Sequence, residues 1–430
     1  MNIKLEKIPR PDIQKLIGFL PFSHQVKQVA PTPQVLPEVI YPVVVVPGFL
    51  GSWPSAFAED GGKLDPITGI YTNLIEGLER IGYVQGVSLF AFPYDWRLGL
   101  KELGMRLGRE IKRIQHLSSA EAQKRSTVKV NYSKVDLLGH SMGGLVCRAY
   151  IQSNAYAGEV SRLALVATPN FGAVAAYYGY EGGETSYIGV PTANAKSMIG
   201  LLEARECRNL LNRMILTYRS VRGQAKYDMQ AYLSQRTTAV RDLLPLGRAN
   251  YLYSRNEVGE EKIYPFGSTP GYPVNTILER MNLPEQLARL DGVEQIYCFY
   301  SNAHNTRRRI LVEDRYNEVS PLYQHGFPLN PQPAESFAPG DTIVTQASAC
   351  FEFSERKPDG TLWQVEVVNV ALNTITGKAL DHVQIVGDPD PVRYLLGYLA
   401  QRTTATPITP DIWDGLSLAK RKPNYLPLFV

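Results

Sequence analysis

Gly139-His140-Ser141-Met142-Gly143 fits the pattern G-x-S-x-G, in which a serine occupies a sharp turn between a strand and a helix. The glycines answer a steric demand. On so tight a turn a side chain at either position would collide with the neighbouring strand or with the start of the helix. A pentapeptide carries little weight alone, so its flanks decide. Before it, residues 128–138 end in Val135-Asp136-Leu137-Leu138, which reads as a buried strand. After it, Gly144-Leu145-Val146-Cys147-Arg148-Ala149-Tyr150-Ile151 reads as a helix. Strand, serine turn and helix in this order predict that Ser141 is a nucleophile.

The segments around this centre repeat the same rhythm. Val43-Val44-Val45-Val46 is a continuous β-branched run, as expected of a parallel strand covered on both faces. Residues 73–81 read as a helix, 87–92 as a strand, 100–116 as a long helix with Arg, Lys and Glu on one face, and 160–167 as another strand. Strands alternating with helices predict a mostly parallel, doubly wound α/β sheet. The rhythm stops after residue 172. Residues 173–283 hold Gly/Tyr-rich turns such as Tyr177-Tyr178-Gly179-Tyr180 and helical stretches around 193–218 and 230–244. With no buried strand run in sight, they read as a helical cap inserted after a late strand. The core, residues 41–172 and 284–402, resumes with a strand at 294–300, hairpin-like segments near 349–353 and 362–370, and a last helix over 391–401. Residues 1–40 read as an N-terminal arm. There Ile13, Leu16, Ile17 and Leu20 recur at helical spacing after Asp12, an N-cap residue, and Pro31, Pro33 and Pro37 follow. That helix fits docking on the core or lying on a membrane surface. Residues 403–430 hold several prolines and read as a surface tail.

Composition narrows the function classes. The 430 residues are 44% hydrophobic and 20% charged, an ordinary globular balance. A net charge of +4 is too mild for a nucleic-acid binder, and no Lys/Arg run stands out. Weak attraction to anionic lipid, a transient membrane-surface contact, is compatible with it. Of the four cysteines, Cys147 and Cys298 read as buried thiols; a Cys207–Cys350 disulfide stays open, and no pair has metal-ligand spacing. The longest apolar stretch, around 41–50, is broken by Pro42 and Pro47 and is too short to span a bilayer. The first nine residues lack the long apolar stretch of a signal peptide. This reads as a cytoplasmic protein, or a secreted one if a leader has been removed.

A serine hydroxyl needs a histidine to take its proton and a carboxylate to hold that histidine in the right tautomer. For a serine on such an elbow the chain order runs serine, acid, histidine. Three histidines follow Ser141. His382, in Asp381-His382-Val383-Gln384-Ile385-Val386 just before the last helix, is the preferred base. His304 is its competitor, and His325, in a Gly/Pro-flanked loop, reads as surface. The preferred acid is Asp341, in the tight turn Pro339-Gly340-Asp341-Thr342-Ile343-Val344; the alternative for Asp341 is a turn-forming role alone. Asp314 sits among charges and reads as an ion-pair residue, and Asp381 adjoins the histidine too closely to face it. Oxyanion donors are expected from the backbone N–H of Met142, at the start of the elbow helix, and of Phe49, in Pro47-Gly48-Phe49-Leu50-Gly51-Ser52. His304 and Asp314 do not have a recognised cation-ligand spacing; neither a metal nor an organic cofactor is expected.

With these pieces placed, the chain resembles the lecithin:cholesterol acyltransferase family, which includes lysosomal phospholipase A2 and bacterial lipase-like relatives. The likeness is carried by Val46-Pro47-Gly48-Phe49-Leu50-Gly51-Ser52, Phe92-Pro93-Tyr94-Asp95-Trp96-Arg97, the elbow, Gly340-Asp341-Thr342-Ile343-Val344 and Asp381-His382-Val383-Gln384-Ile385, with Val240-Arg241-Asp242-Leu243-Leu244-Pro245 resembling a cap segment of the bacterial members. The resemblance implies an α/β-hydrolase fold, a triad of Ser141, Asp341 and His382, an oxyanion hole at Phe49 and Met142, and acyl-ester, often lipid, substrates. Asp95 and Arg97 are expected to pair and brace the site. The family's acid motif usually reads Gly-Asp-Gly-Thr-Val, so Thr342 stands where glycine is usual. The disulfide-closed lid loop of the animal enzymes has no counterpart near residues 52–65, although Trp53 is present. The sequence thus leaves three readings: a carboxylic-ester hydrolase, an O-acyltransferase sharing the same acyl-enzyme, and an inactive hydrolase fold that binds lipid.

Overall fold

The computed structural model describes residues 39–53, 62–65, 69–117, 124–126, 129–184, 229–263, 274–313, 322–350 and 365–400. The helix expected near residues 13–20, the helical stretch at 193–218, Cys207, Asp314 and the tail lie outside them, as does most of the span compared with a lid loop.

Six strands form the central sheet: β1 (Val43–Val46), β2 (Leu89–Ala91), β3 (Val135–His140), β4 (Val160–Val166), β5 (Gln295–Tyr300) and β6 (Val365–Asn369). Their spatial order is β6-β5-β4-β3-β1-β2, and every neighbouring pair is parallel. The doubly wound α/β sheet expected from the sequence is therefore present. The four valines of β1 are wholly buried, each side chain stabilising the fold by about 1.5–3 kcal/mol relative to exposure.

Helices cover the sheet because their apolar residues recur every three or four positions. Helix α2 (Leu100–Gln115) buries Leu100, Leu103, Leu107, Ile111 and Ile114 and packs on the elbow helix α3 (Met142–Ile151). Helix α1 (Thr72–Arg80) packs on the last helix, Pro389–Ala400. No described helix is long and apolar enough to cross a membrane.

Two expectations are corrected. The segment near 362–370 is not a hairpin arm. Val365–Asn369 is β6, the edge strand parallel to β5, and Gln346–Cys350 is a short helix. An edge strand is covered on one side only, so its pattern imitates a surface hairpin. Nor is 173–283 a purely helical insertion. It does hold helices α4 (Ala175–Gly182), α5 (Met229–Arg236) and α6 (Thr238–Asp242). It also holds the strand Leu252–Arg255, whose Leu252 and Tyr253 are buried. That strand pairs in parallel with Ile310–Glu313 and antiparallel with Glu261–Ile263. A second excursion, between β5 and β6, thus completes a small sheet with the first. Four residues ending in Ser254-Arg255 give too short a pattern to be read as buried.

Cys147 and Cys298 are buried free thiols. Cys350 is also a free thiol, and Cys207, its candidate partner in the sequence, lies outside the described residues.

Candidate active site

Parallel strands deliver their following loops to one edge of a sheet, and the predicted site residues gather at that edge. Between β3 and α3, Ser141 has φ +53° and ψ −125°, a strained conformation for a residue with a side chain. Its N–H donates to the Val166 carbonyl at 2.8 Å, and its own carbonyl accepts from Gly144 N at 3.0 Å. The flanking glycines are explained by contact. A Cβ at Gly139 would lie 2.6 Å from the Gly144 backbone, and one at Gly143 only 2.2 Å from the Val46 carbonyl oxygen.

His382 and Asp341 reach Ser141 from the loops after β6 and β5. The His382 N–H donates to the Asp341 carbonyl at 2.8 Å, fixing one backbone against the other. Asp341 is 1% exposed. Its Oδ1 accepts from the N–H groups of Ile343 (3.0 Å) and Val344 (2.7 Å), so the turn-forming role is also present. Its Oδ2 remains for His382 Nδ1, 2.8 Å away, and His382 Nε2 lies 2.8 Å from Ser141 Oγ. A carboxylate can only accept, so the ring proton sits on Nδ1 and Nε2 accepts from the serine hydroxyl. Thr342, in the glycine position of the usual motif, has φ +90°.

The loop after β1 meets the elbow from the other side. Gly48 N–H donates to Tyr71 Oη at 2.8 Å, which leaves the next amide, Phe49, free of that partner. The block Phe92-Pro93-Tyr94-Asp95-Trp96-Arg97 wraps this loop. Tyr94 Oη donates to the Pro47 carbonyl at 2.6 Å, Ser52 Oγ donates to the Tyr94 carbonyl at 2.6 Å, and fully buried Trp96 meets the Phe49 ring edge-on at 5.0 Å. Arg97 grips Asp95 with two N–H groups, at 2.7 and 2.6 Å. Phe49 also packs on Tyr232, Leu233 and Val240 of α5 and α6, tying the loop to the cap. Met142 is the first residue of α3, so its N–H lies ahead of the helix's own hydrogen bonding.

The other candidates fall elsewhere. His304 lies on a strand paired with Phe337–Gly340, opposite Gly340. His325 is not at the surface, as expected, but buried, its Nδ1 2.9 Å from Glu181 Oε1 of α4. A loop between glycine and proline can be folded inward when a carboxylate waits there. Asp381 Oδ1 accepts from the N–H groups of Val383 (3.2 Å) and Gln384 (3.0 Å) and caps the helix after it.

Three features escaped the sequence reading. Arg148 of α3 is fully buried and donates to Asn170 Oδ1 (2.8 Å), Asn282 Oδ1 (2.7 Å) and the Met281 carbonyl (3.1 Å). Buried Asp242 accepts from Leu100 N at the start of α2, 2.8 Å away, and burial pushes its carboxyl up to about 6. The run Arg307-Arg308-Arg309, unremarked in the sequence, lines a cavity of about 250 Å³ beside the acid turn, with Phe171, Val174 and Ile343. No periodicity marks a charged residue that the fold will bury.

Residues 48–204 match the protein-family model of lecithin:cholesterol acyltransferase. The curated relative Phospholipase A(1) LCAT3 of Arabidopsis thaliana is 34% identical over 119 residues, 26% of this chain and 24% of the relative, so the chain spans about a quarter of that protein's length. Among solved structures, the mature Bacillus licheniformis lipase BlEst2 is similar at 14% identity and a TM-score of 0.38, covering 87% of this chain and 95% of that one. EstA from Clostridium botulinum follows at 13% identity and a TM-score of 0.36, covering 89% and 91%.

Proposed function

Because the chain is lecithin:cholesterol acyltransferase-like over residues 48–204, we propose that it is a serine hydrolase of carboxylic, chiefly lipid, esters. The observation that carries the reading is the line from Ser141 Oγ to His382 Nε2 and from His382 Nδ1 to Asp341 Oδ2, each 2.8 Å, on a strained elbow. Ser141 Oγ attacks the ester carbonyl while His382 Nε2 takes its proton. Asp341 stabilises the imidazolium that forms. The N–H groups of Phe49 and Met142 receive the oxyanion, each worth roughly a hundredfold to a thousandfold in rate. His382 then returns the proton to the leaving alcohol, and water enters by the reverse steps to release the acid. The Asp95–Arg97 pair and Trp96 brace the loop that carries Phe49.

The family's name favours a second reading, in which an alcohol replaces water in the second step. A fluorophosphonate probe tests the nucleophile. It is expected to label the wild type and not Ser141→Ala; no labelling of the wild type, or equal labelling of both, refutes the reading and leaves the inactive lipid-binding fold. A medium-chain ester supplied with and without a sterol or long-chain alcohol separates the other two. Turnover in water alone is expected, and turnover that requires the alcohol makes the protein an acyltransferase.

A further inference from the structure

His140, the second residue of the elbow, has no part in the chemistry above, yet it is buried between the two halves of the site. Its Nε2 lies 3.1 Å from the carbonyl oxygen of His382 and its Nδ1 2.8 Å from Tyr71 Oη. Tyr71, itself 2% exposed, receives the Gly48 N–H on the same oxygen at 2.8 Å. Valence fixes every proton along this path. The Gly48 amide can only donate and the His382 carbonyl can only accept. Burial, with the neighbouring His382, brings His140 down to about 3, so its ring is neutral and carries one proton. That proton must be on Nε2, facing the carbonyl. Nδ1 then accepts from the Tyr71 hydroxyl, whose oxygen accepts from Gly48. The sequence runs Gly48 N–H to Tyr71 Oη–H to His140 Nδ1, and His140 Nε2–H to His382 C=O, with no donor facing a donor.

We infer that Tyr71 and His140 are positioning residues, an uncharged hydrogen-bonded strut that sets the spacing between the oxyanion loop and the base. The inference rests on the reading of Ser141, His382 and the Phe49 amide as reacting groups. One end of the strut holds the residue before Phe49, so it governs where the Phe49 N–H points. The other end holds the backbone of His382. A strut made of charged groups would serve badly here: the His140 and His382 rings are 5.1 Å apart, and a second positive ring would oppose the charge His382 gains during reaction. A neutral imidazole fixed in one tautomer supplies direction without that opposition.

Three variants test this. Tyr71→Phe keeps the ring and removes the hydroxyl. His140→Leu removes both nitrogens. His140→Gln keeps an N–H donor near the position of Nε2. Each is titrated to completion with a fluorophosphonate, so that only competent sites are counted, and kcat and KM for a p-nitrophenyl ester are then expressed per counted site. Tyr71→Phe and His140→Leu are expected to lose about tenfold to a hundredfold in kcat with KM within threefold, as displaced reacting groups do. His140→Gln is expected to recover most of the loss seen in His140→Leu. If Tyr71→Phe yields no soluble protein, the His140→Leu to His140→Gln ratio decides. If the wild type labels and every variant turns over per site as the wild type does, even with a lowered Tm, the strut is only packing and the inference is overturned. If the wild type does not label at Ser141, the serine reading itself falls and this inference falls with it.

Discussion

Replacing Asp341 by asparagine reverses one hydrogen bond, and the structure dictates which way the new amide must face. Oδ1 of Asp341 accepts from Ile343 N at 3.0 Å and Val344 N at 2.7 Å. Only the amide oxygen of asparagine can keep both bonds; the flipped amide would lose them and leave donors facing donors, at about 1–3 kcal/mol for each. The NH2 group therefore takes the place of Oδ2, 2.8 Å from His382 Nδ1. Nδ1 becomes an acceptor, the ring proton moves to Nε2, and Nε2 now donates to Ser141 Oγ instead of taking its proton. Restoring the working tautomer sets two donors against each other, roughly 2 kcal/mol. The imidazolium also loses its carboxylate, on the order of 3 kcal/mol at an effective dielectric of about 20. Together these come to about 5 kcal/mol, or roughly a 10⁴-fold fall in kcat. The assay is hydrolysis of a medium-chain p-nitrophenyl ester at fixed concentration of competent sites. Asp381→Asn serves as the comparison, because an amide oxygen can still accept the N–H groups of Val383 and Gln384. A loss of less than tenfold in Asp341→Asn, or equal losses in both variants, would refute the reasoning.

Other perturbations read out parts of the fold. Thr342→Gly relieves a side-chain residue held at φ +90°, and its urea midpoint is expected to rise by the equivalent of about 1 kcal/mol, with kcat unchanged. Arg148→Leu leaves buried oxygen acceptors of Asn170, Met281 and Asn282 without their donor and is expected to cost about 3–5 kcal/mol in chemical denaturation. Burial raises the Asp242 carboxyl from its ordinary 3.8 to about 6, so the folded state binds the extra proton. Its contribution is fully present below about pH 4 and is lost as pH rises through 6, by up to roughly 2–3 kcal/mol at about 1.4 kcal/mol per tenfold in proton affinity. Asp242→Asn, which still accepts from Leu100 N, is expected to remove that slope in stability measured between pH 4 and 7.

What the sequence disclosed and what it hid divide along physical lines. The valine run at 43–46 and the elbow flanks are local patterns set by burial on both faces, and they disclosed the middle strands of the central sheet but not its edge strand β6. Chain order alone reduced the search for the base to His304, His325 and His382. The hidden parts depend on partners distant in sequence. Leu252–Arg255 is seated between Glu261–Ile263 and the sequence-distant Ile310–Glu313, and the second pairing leaves no mark in its own short pattern. His325 is buried where Glu181, distant in sequence, meets its ring. Arg148 can be buried because Asn170 and Asn282 converge on its guanidinium from loops 22 and 134 residues away along the chain. The turn at Asp341 was legible as a turn, but the division of labour between its two oxygens was not.

The pairing of Leu252–Arg255 with Ile310–Glu313 has a consequence for recombination between relatives. A chimera that exchanged residues 173–283 alone would import a strand whose neighbour stayed behind, leaving two unmatched edges open to pairing with other chains. A foldable graft has to carry both excursions, and the second contains the Phe337–Gly340 strand that runs straight into Asp341. The 173–283 insertion and the loop that carries Asp341 are therefore inherited together, and neither is free to be swapped without the other.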